Sequence, residues 1–408
     1  MSKEKWYCTL PWTGFSNDPD GKVRPCCLYK DYIKDENGEH MHVQTHSIDE
    51  IFNSDHMKSL RESFRQGNKP KACSTCIIDE ANGHKSKREI YTRNSNGTHQ
   101  PIINFESEPD HPIEFQLIIS NACNLKCRSC SPSHSNLWQA EHKVIWGNTG
   151  YPMVHGQSGD KNGRLWTHRN EWLDTIERLE IVGGEPFYIQ QWTTIWDELI
   201  ESGRSKEIHM SMSSNCVIFA GERIKYLNDN FKHIGLGLSI DGMGTMYDYL
   251  RHPGKWDEVK ENLLAYNKMQ SDGLLDNVGV SISHTIGWLN AFYIPEFTDW
   301  VNANLNNFQN SNLKTAIWYN LIHSPDHMAL WAIPDSVKDQ IEYKLRNSTV
   351  DQEVVNGLVN HMNSRLPNNN ELRALYSQFR VNDKLRGENI LDVIPPEFLD
   401  AMRGLFNE

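Results

Sequence analysis

From about residue 113 the sequence alternates short runs rich in β-branched and apolar residues with longer amphipathic stretches, six times over. That rhythm constrains the fold most, because strands that are each followed by a helix return in parallel and build an α/β sheet or barrel. The strand candidates are Phe115 to Ser120, Leu179 to Gly183, His209 to Ser213, Ile234 to Ile240, Val278 to Ser283 and Ala316 to Ile322. Between them, Trp192 to Glu201 and Trp256 to Met269 repeat apolar residues at three- and four-residue steps, the helical period. In such folds the chemistry is carried at the C-terminal ends of the strands. Functional residues are therefore to be sought there.

Two motifs stand at those ends. Cys123, Cys127 and Cys130 place three thiols on one short loop after the first strand. Three cysteines are one too few for a closed structural site, and an iron-sulfur cube held by three sulfurs keeps one iron open for another ligand. At the end of the second strand, Gly183, Gly184, Glu185 and Pro186 make a turn. The glycines let the backbone approach a ligand closely, Pro186 ends the strand, and a carboxylate or carbonyl there can accept hydrogen bonds from an ammonium group.

The C-x-x-x-C-x-x-C order and the GGEP turn resemble the signature of the radical S-adenosylmethionine (SAM) superfamily. The resemblance implies a partial (β/α)6 barrel, a [4Fe-4S] cluster on Cys123, Cys127 and Cys130, and SAM chelated to its open iron. It further implies reductive cleavage of SAM to a 5'-deoxyadenosyl radical that abstracts a substrate hydrogen. Gly183 to Pro186, together with polar residues at later strand ends, Asn215 and the Ser239 of Ser239-x-Asp241-Gly242, are the residues it assigns to SAM, and Arg251, which follows shortly after, is read with them as a partner for a carboxylate through its planar fork. In the family an apolar residue usually precedes the third cysteine, where the adenine packs; here that position is Ser129.

The first hundred residues are irregular and rich in cysteine: Cys8, Cys26, Cys27, Cys73 and Cys76. One helix is expected among them, opened by the capping box Ser47 to Glu50, carrying Met57, Leu60 and Phe64, and closed by Gly67. So small an apolar core calls for a metal centre. The pattern of a lone cysteine, the run Asp20-Gly-Lys-Val-Arg-Pro-Cys26, a helix and a final C-x-x-C resembles the SPASM/twitch module, which binds an auxiliary [4Fe-4S] cluster. It implies Cys8, Cys26, Cys73 and Cys76 as ligands, with Cys27 the contender for the place of Cys26. The module usually follows the barrel, whereas here it precedes it. Zinc on either cysteine set is the competing reading.

The expected organisation is α/β: an auxiliary-cluster domain over residues 1–108, the partial barrel over 109–330 and a helical extension over 331–408. The extension includes helices at Asp335 to Arg346 and Asn370 to Phe379. Trp138 to Arg169 reads as a long first connection without a sustained period. A net charge of -12, from 41 basic and 53 acidic residues, disfavours broad nucleic-acid binding. Lys69, Lys71, Lys85, Lys87 and Arg88 form a loose basic cluster, read as a solvated face. There is no apolar run of membrane-spanning length and no secretory signal, so a cytoplasmic protein is expected. Nine cysteines, eight of them in the first third, then point to metal or redox cofactors rather than disulfides.

SPASM-bearing relatives most often modify peptides or proteins, so the implied partners are a peptide substrate and an electron donor such as flavodoxin or ferredoxin. A nucleotide, sugar or other small-molecule substrate, and a zinc-stabilised binding protein, are the alternatives. Cys216, the lone cysteine of the second half, reads as a small buried residue.

Overall fold

The computed structural model describes residues 6–81, 83, 85–92, 105–147, 159–308 and 316–406. Eight strands form one sheet: β1 (Gly14–Asn17), β2 (Val23–Arg24), β3 (Glu114–Leu117), β4 (Arg178–Ile181), β5 (His209–Ser214), β6 (His233–Ser239), β7 (Val278–Ile286) and β8 (Ile317–Leu321). They stand in the order β2-β1-β3-β4-β5-β6-β7-β8. All neighbours are parallel except β2, which runs antiparallel to β1. All six expected strands are present. The sheet is open, with β2 and β8 at its two edges.

Two further strands join the six. β1 and β2 come from the cysteine-rich N-terminal segment, and β1 pairs in parallel with β3, Gly14 opposite Glu114 and Phe15 opposite Phe115. Asn17 extends that pairing with its side chain. Its amide donates to the Ile118 carbonyl at 2.9 Å and accepts from the Ile118 N–H at 3.2 Å, copying a backbone ladder in a buried setting. Trp6, Phe15 and Phe64 also belong to the same apolar core as Phe115, Leu179 and Ile234. The N-terminal segment thus shares both sheet and core with the barrel strands.

The two faces of the sheet differ. Along β6 and β7, Ile234, Leu236, Leu238, Val280 and Ile282 are buried against the helices, while the alternate positions are small and only half-buried. In register these form rows: Ser211 beside Gly235 beside Gly279, then Ser213 beside Gly237 beside Ser281. A parallel sheet covered on both faces would carry apolar residues on both. Here the inner face is polar, with serine and glycine over β5 to β7 and Glu114, Gln116, Arg178 and Glu180 over β3 and β4.

The expected N-terminal helix is two helices, Ile48–Phe52 and Asp55–Arg65. The capping box at Ser47 forms as expected, but a second cap interrupts the run: Ser54 Oγ accepts from the Met57 N–H at 3.4 Å. Replacing Ser54 by alanine is expected to cost about 1 kcal/mol, read as a shift in urea midpoint at constant slope. The long connection also departs from expectation, since Trp138–Trp146 is helical; residues 148–158 lie outside the described residues.

The C-terminal extension packs as Asp335–Arg346, Gln352–Met362, Asn369–Arg386 and Leu399–Phe406 around a second core with Trp288, Leu330 and Tyr376. The helix expected to end at Phe379 runs on to Arg386 and stops at Gly387, whose φ of 67° is left-handed. Among the described residues no helix is long and apolar enough to cross a membrane.

Candidate functional site

The loop bearing Cys123, Cys127 and Cys130 leaves the C-terminal end of β3, and the turn after β4 folds directly onto it. Gly184 N–H donates to the His134 carbonyl at 3.1 Å and Glu185 N–H to the Ala122 carbonyl at 2.9 Å. Both glycines are required. Gly183 and Gly184 have φ of 81° and 61°, and a Cβ on Gly184 would stand 2.4 Å from the Ala122 oxygen. Gly184→Ala is therefore expected to cost about 1–3 kcal/mol and to lift the turn from the cysteine loop, measured by chemical denaturation together with iron retention.

Glu185 is wholly buried. Its carboxylate accepts from the Ser214 hydroxyl at 2.9 Å and the Asn215 N–H at 2.7 Å, both at the end of β5. Burial pushes this carboxyl up to about 7, opposed by those donors and the Phe187 N–H. The side chain is thus committed to holding β5 against β4. Of the groups offered for an ammonium at this turn, the backbone carbonyls are the ones not engaged in that task.

Asn215 reaches the loop itself. Its Nδ2 donates to Asn124 Oδ1 at 2.7 Å and lies 3.8 Å from Cys123 Sγ. Ser239 ends β6, opposite Ser283 of β7. Arg251 was read as a partner for a ligand carboxylate, but its guanidinium pairs with Asp241 of this chain at 2.8 Å and its Nη1 lies 3.9 Å from Cys127 Sγ. Among the described residues, the buried Arg251 Nε has no hydrogen-bond partner. Asp241 escaped the sequence reading as a site residue, although the Asp-Gly pair at that strand end marked its position. Cys216 is wholly buried, as expected, and its φ of 62° is unusual for a side-chain-bearing residue.

The three thiols of the loop form one set. Burial raises all of them, Cys127 to about 11, and each of Cys127 and Cys130 is raised further by its cysteine neighbours while Arg251 opposes the effect. The N-terminal thiols behave alike. Burial raises Cys8, with Cys26, Cys73 and Cys76 adding to it. Cys26 and Cys73 are pushed up to about 12, again first by burial. Beyond burial, Cys26 is raised by Cys27 and Cys76 and lowered by Lys87, while Cys27 Sγ takes a hydrogen bond from Lys87 Nζ at 3.5 Å. Such thiols keep their protons until a metal displaces them.

Among the described residues no three His, Cys, Asp or Glu side chains are placed to hold a single metal ion. All nine cysteines are free. An all-thiol donor set, three on one loop and four gathered from distant segments, fits iron-sulfur ligation in its chemistry.

One member of the N-terminal set also meets the polar face of the sheet. Cys26 lines a small cavity with Ser16, Glu114, Gln116 and Glu180, inward positions of β1, β3 and β4. A segment that precedes the six expected strands in sequence therefore still reaches the inner face of the sheet through Cys26. Two members of the supposed basic face are drawn into this region. Lys87 Nζ pairs with Glu180 at 3.1 Å, and Arg88 pairs with Glu80 at 2.7 Å and the Tyr7 carbonyl at 2.7 Å. They are structural ties and not part of a solvated patch.

Residues 8–77 match the family model of SPASM, an iron-sulfur cluster-binding domain. No curated protein matches the chain. Among solved structures, the chain is similar to anSMEcpe with bound AdoMet at 15% identity, covering 57% of this chain and 56% of that one, with a TM-score of 0.40. It is similar to SuiB of Streptococcus suis bound to the precursor peptide SuiA at 14% identity, over 71% and 61% of the two chains, with a TM-score of 0.33. TYW1 with a lysine-pyruvate adduct is similar at 15% identity, over 56% and 70%, with a TM-score of 0.28. The matched region thus spans little more than half the length of the first of these chains.

Proposed function

We propose that this chain is a radical SAM enzyme acting on a peptide or protein, with one [4Fe-4S] cluster on Cys123, Cys127 and Cys130 and an auxiliary one on Cys8, Cys26, Cys73 and Cys76. The observation that carries the reading is the seating of the Gly183–Pro186 turn on the three-cysteine loop, at the C-terminal edge of a parallel sheet with a polar inner face. When bound, such a cluster with SAM supplies a carbon radical able to take a hydrogen atom from substrate.

This chain's residues do the rest. The turn is seated on the loop by the Gly184 and Glu185 N–H groups and held from behind by the Glu185 carboxylate through Ser214 and Asn215, and its free acceptors are offered to the SAM amino group. Asn215 steadies Cys123, and Arg251 brings positive charge to Cys127. Rows of serine and glycine on β5, β6 and β7 leave room above the sheet for a substrate segment. The peptide class rests on the SPASM domain, which in similar enzymes accompanies peptide modification.

The test is SAM cleavage to 5'-deoxyadenosine by anaerobically reconstituted protein, with dithionite as reductant. Short peptides encoded beside the gene and a panel of nucleosides and sugars are compared as stimulants. Stimulation by a peptide, with a mass change in it, supports the reading. Stimulation by a small metabolite alone would move the substrate class, and a colourless zinc protein without iron would sink the radical chemistry.

A further inference from the structure

The C-terminal helices have no sequence motif, yet they reach the cysteine loop directly. Arg128 lies between Cys127 and Cys130, and its side chain is only 2% exposed. It donates to Asp383 Oδ1 at 2.6 Å, to Glu388 Oε2 at 2.5 Å and to the Tyr249 carbonyl at 3.0 Å, with its guanidinium 3.5 Å above the Tyr249 ring. On the other side of Cys127, Lys126 pairs with Glu141 at 2.5 Å, and Glu141 pairs with Arg386 at 2.8 Å. Both neighbours of one candidate ligand are thus tied to the helix Asn369–Arg386 and the turn after it.

The same ties govern Arg251. The Lys126 and Arg128 N–H groups donate to the His252 and Leu250 carbonyls, each at 2.8 Å, so the loop is zipped onto the segment that presents Arg251 to Cys127. Glu388 fastens that segment again through His252 Nδ1 at 2.6 Å. A buried guanidinium stripped of water must keep its acceptors, so this arrangement tolerates little displacement. Groups that orient a ligand from behind tune metal affinity and potential as strongly as they tune stability.

We propose that Arg128 is a positioning residue for the cysteine triad, through which the C-terminal helix sets the spacing of Cys127 and Cys130 and the approach of Arg251 to Cys127. This rests on the reading that the triad holds an iron-sulfur cluster.

The test uses full-length protein, reconstituted anaerobically, as wild type, R128Q, R128K and E388Q. Iron retention against a chelator, EPR g-values with and without SAM, and the midpoint potential of the SAM-responsive signal are read, with far-UV circular dichroism as the folding control. R128Q is expected to lose triad iron about 10- to 100-fold faster and to shift the EPR signal, while the signal of the N-terminal cluster stays unchanged. R128K should restore part of the retention, since it keeps the charge but not the fork. If R128Q does not accumulate folded, E388Q, which leaves Arg128 in place, carries the same expectation in milder form. A folded R128Q or E388Q with wild-type g-values, potential and chelator resistance overturns the proposal, even where melting temperature falls. A wild type without any SAM-responsive cluster overturns the functional reading itself, a result that no Arg128 variant could mimic.

Discussion

Replacing Cys123, Cys127 and Cys130 together by alanine is expected to lower the iron of reconstituted protein from about eight to about four per chain, a cube holding four irons. It is expected to abolish both the SAM-responsive EPR signal and 5'-deoxyadenosine formation. The fold should survive, because the loop is held by Gly184, Glu185 and Arg128 independently of its sulfurs. Removing three thiols whose burial raises their pKa also removes no buried charge from the metal-free protein. Iron and sulfide analysis with EPR decides it. Four irons retained with an unaltered SAM response would place SAM elsewhere, and complete loss of iron would leave the N-terminal cysteines to zinc.

The second large effect separates two adjacent cysteines. Cys26→Ala is expected to lose the four irons of the N-terminal cluster and to lower the melting temperature of the whole chain. Metal-binding free energy adds to folding free energy, and this segment supplies two strands to the common sheet and apolar residues to the common core. Cys27→Ala is expected to keep all the iron. Lys87 loses one partner at 3.5 Å and retains Glu180 at 3.1 Å, so the cost should stay near about 1 kcal/mol. Iron content and thermal melting of the two single variants give the answer. The reverse pattern would make Cys27 the ligand and return Cys26 to the cavity lining.

Much of this was legible before any coordinates because it is local. The six barrel strands declare themselves by β-branched runs bounded by turn residues. The spacing of Cys123, Cys127 and Cys130, the Gly183–Pro186 turn and the Cys73–Cys76 pair are each contained within a few residues. A short sequence interval fixes how far apart such groups can lie. β1 and β2 escape a periodicity reading because four- and two-residue strands have too little of it to register, and the parallel pairing of β1 with β3 is made about a hundred residues away. The split at Ser54 was missed because the apolar spacing of Met57, Leu60 and Phe64 outweighed a second serine cap.

Partner choice is where the sequence alone runs out. A guanidinium at position 251 can serve any carboxylate, and only the folded chain assigns it Asp241 and Cys127. Arg128 is an ordinary basic residue until Asp383 and Glu388, more than 250 residues away, take its side chain out of water. Adjacent cysteines such as Cys26 and Cys27 look alike in any pattern, yet in the fold Cys26 lines the cavity beside β1 and β3 while Cys27 takes a hydrogen bond from Lys87. The sequence by itself determined the element types, the donor chemistry and the strand ends that carry it, because backbone periodicity and short spacings act locally. The tertiary structure decided which distant groups meet, because long-range partners are selected by packing and by the cost of burying a charge without one.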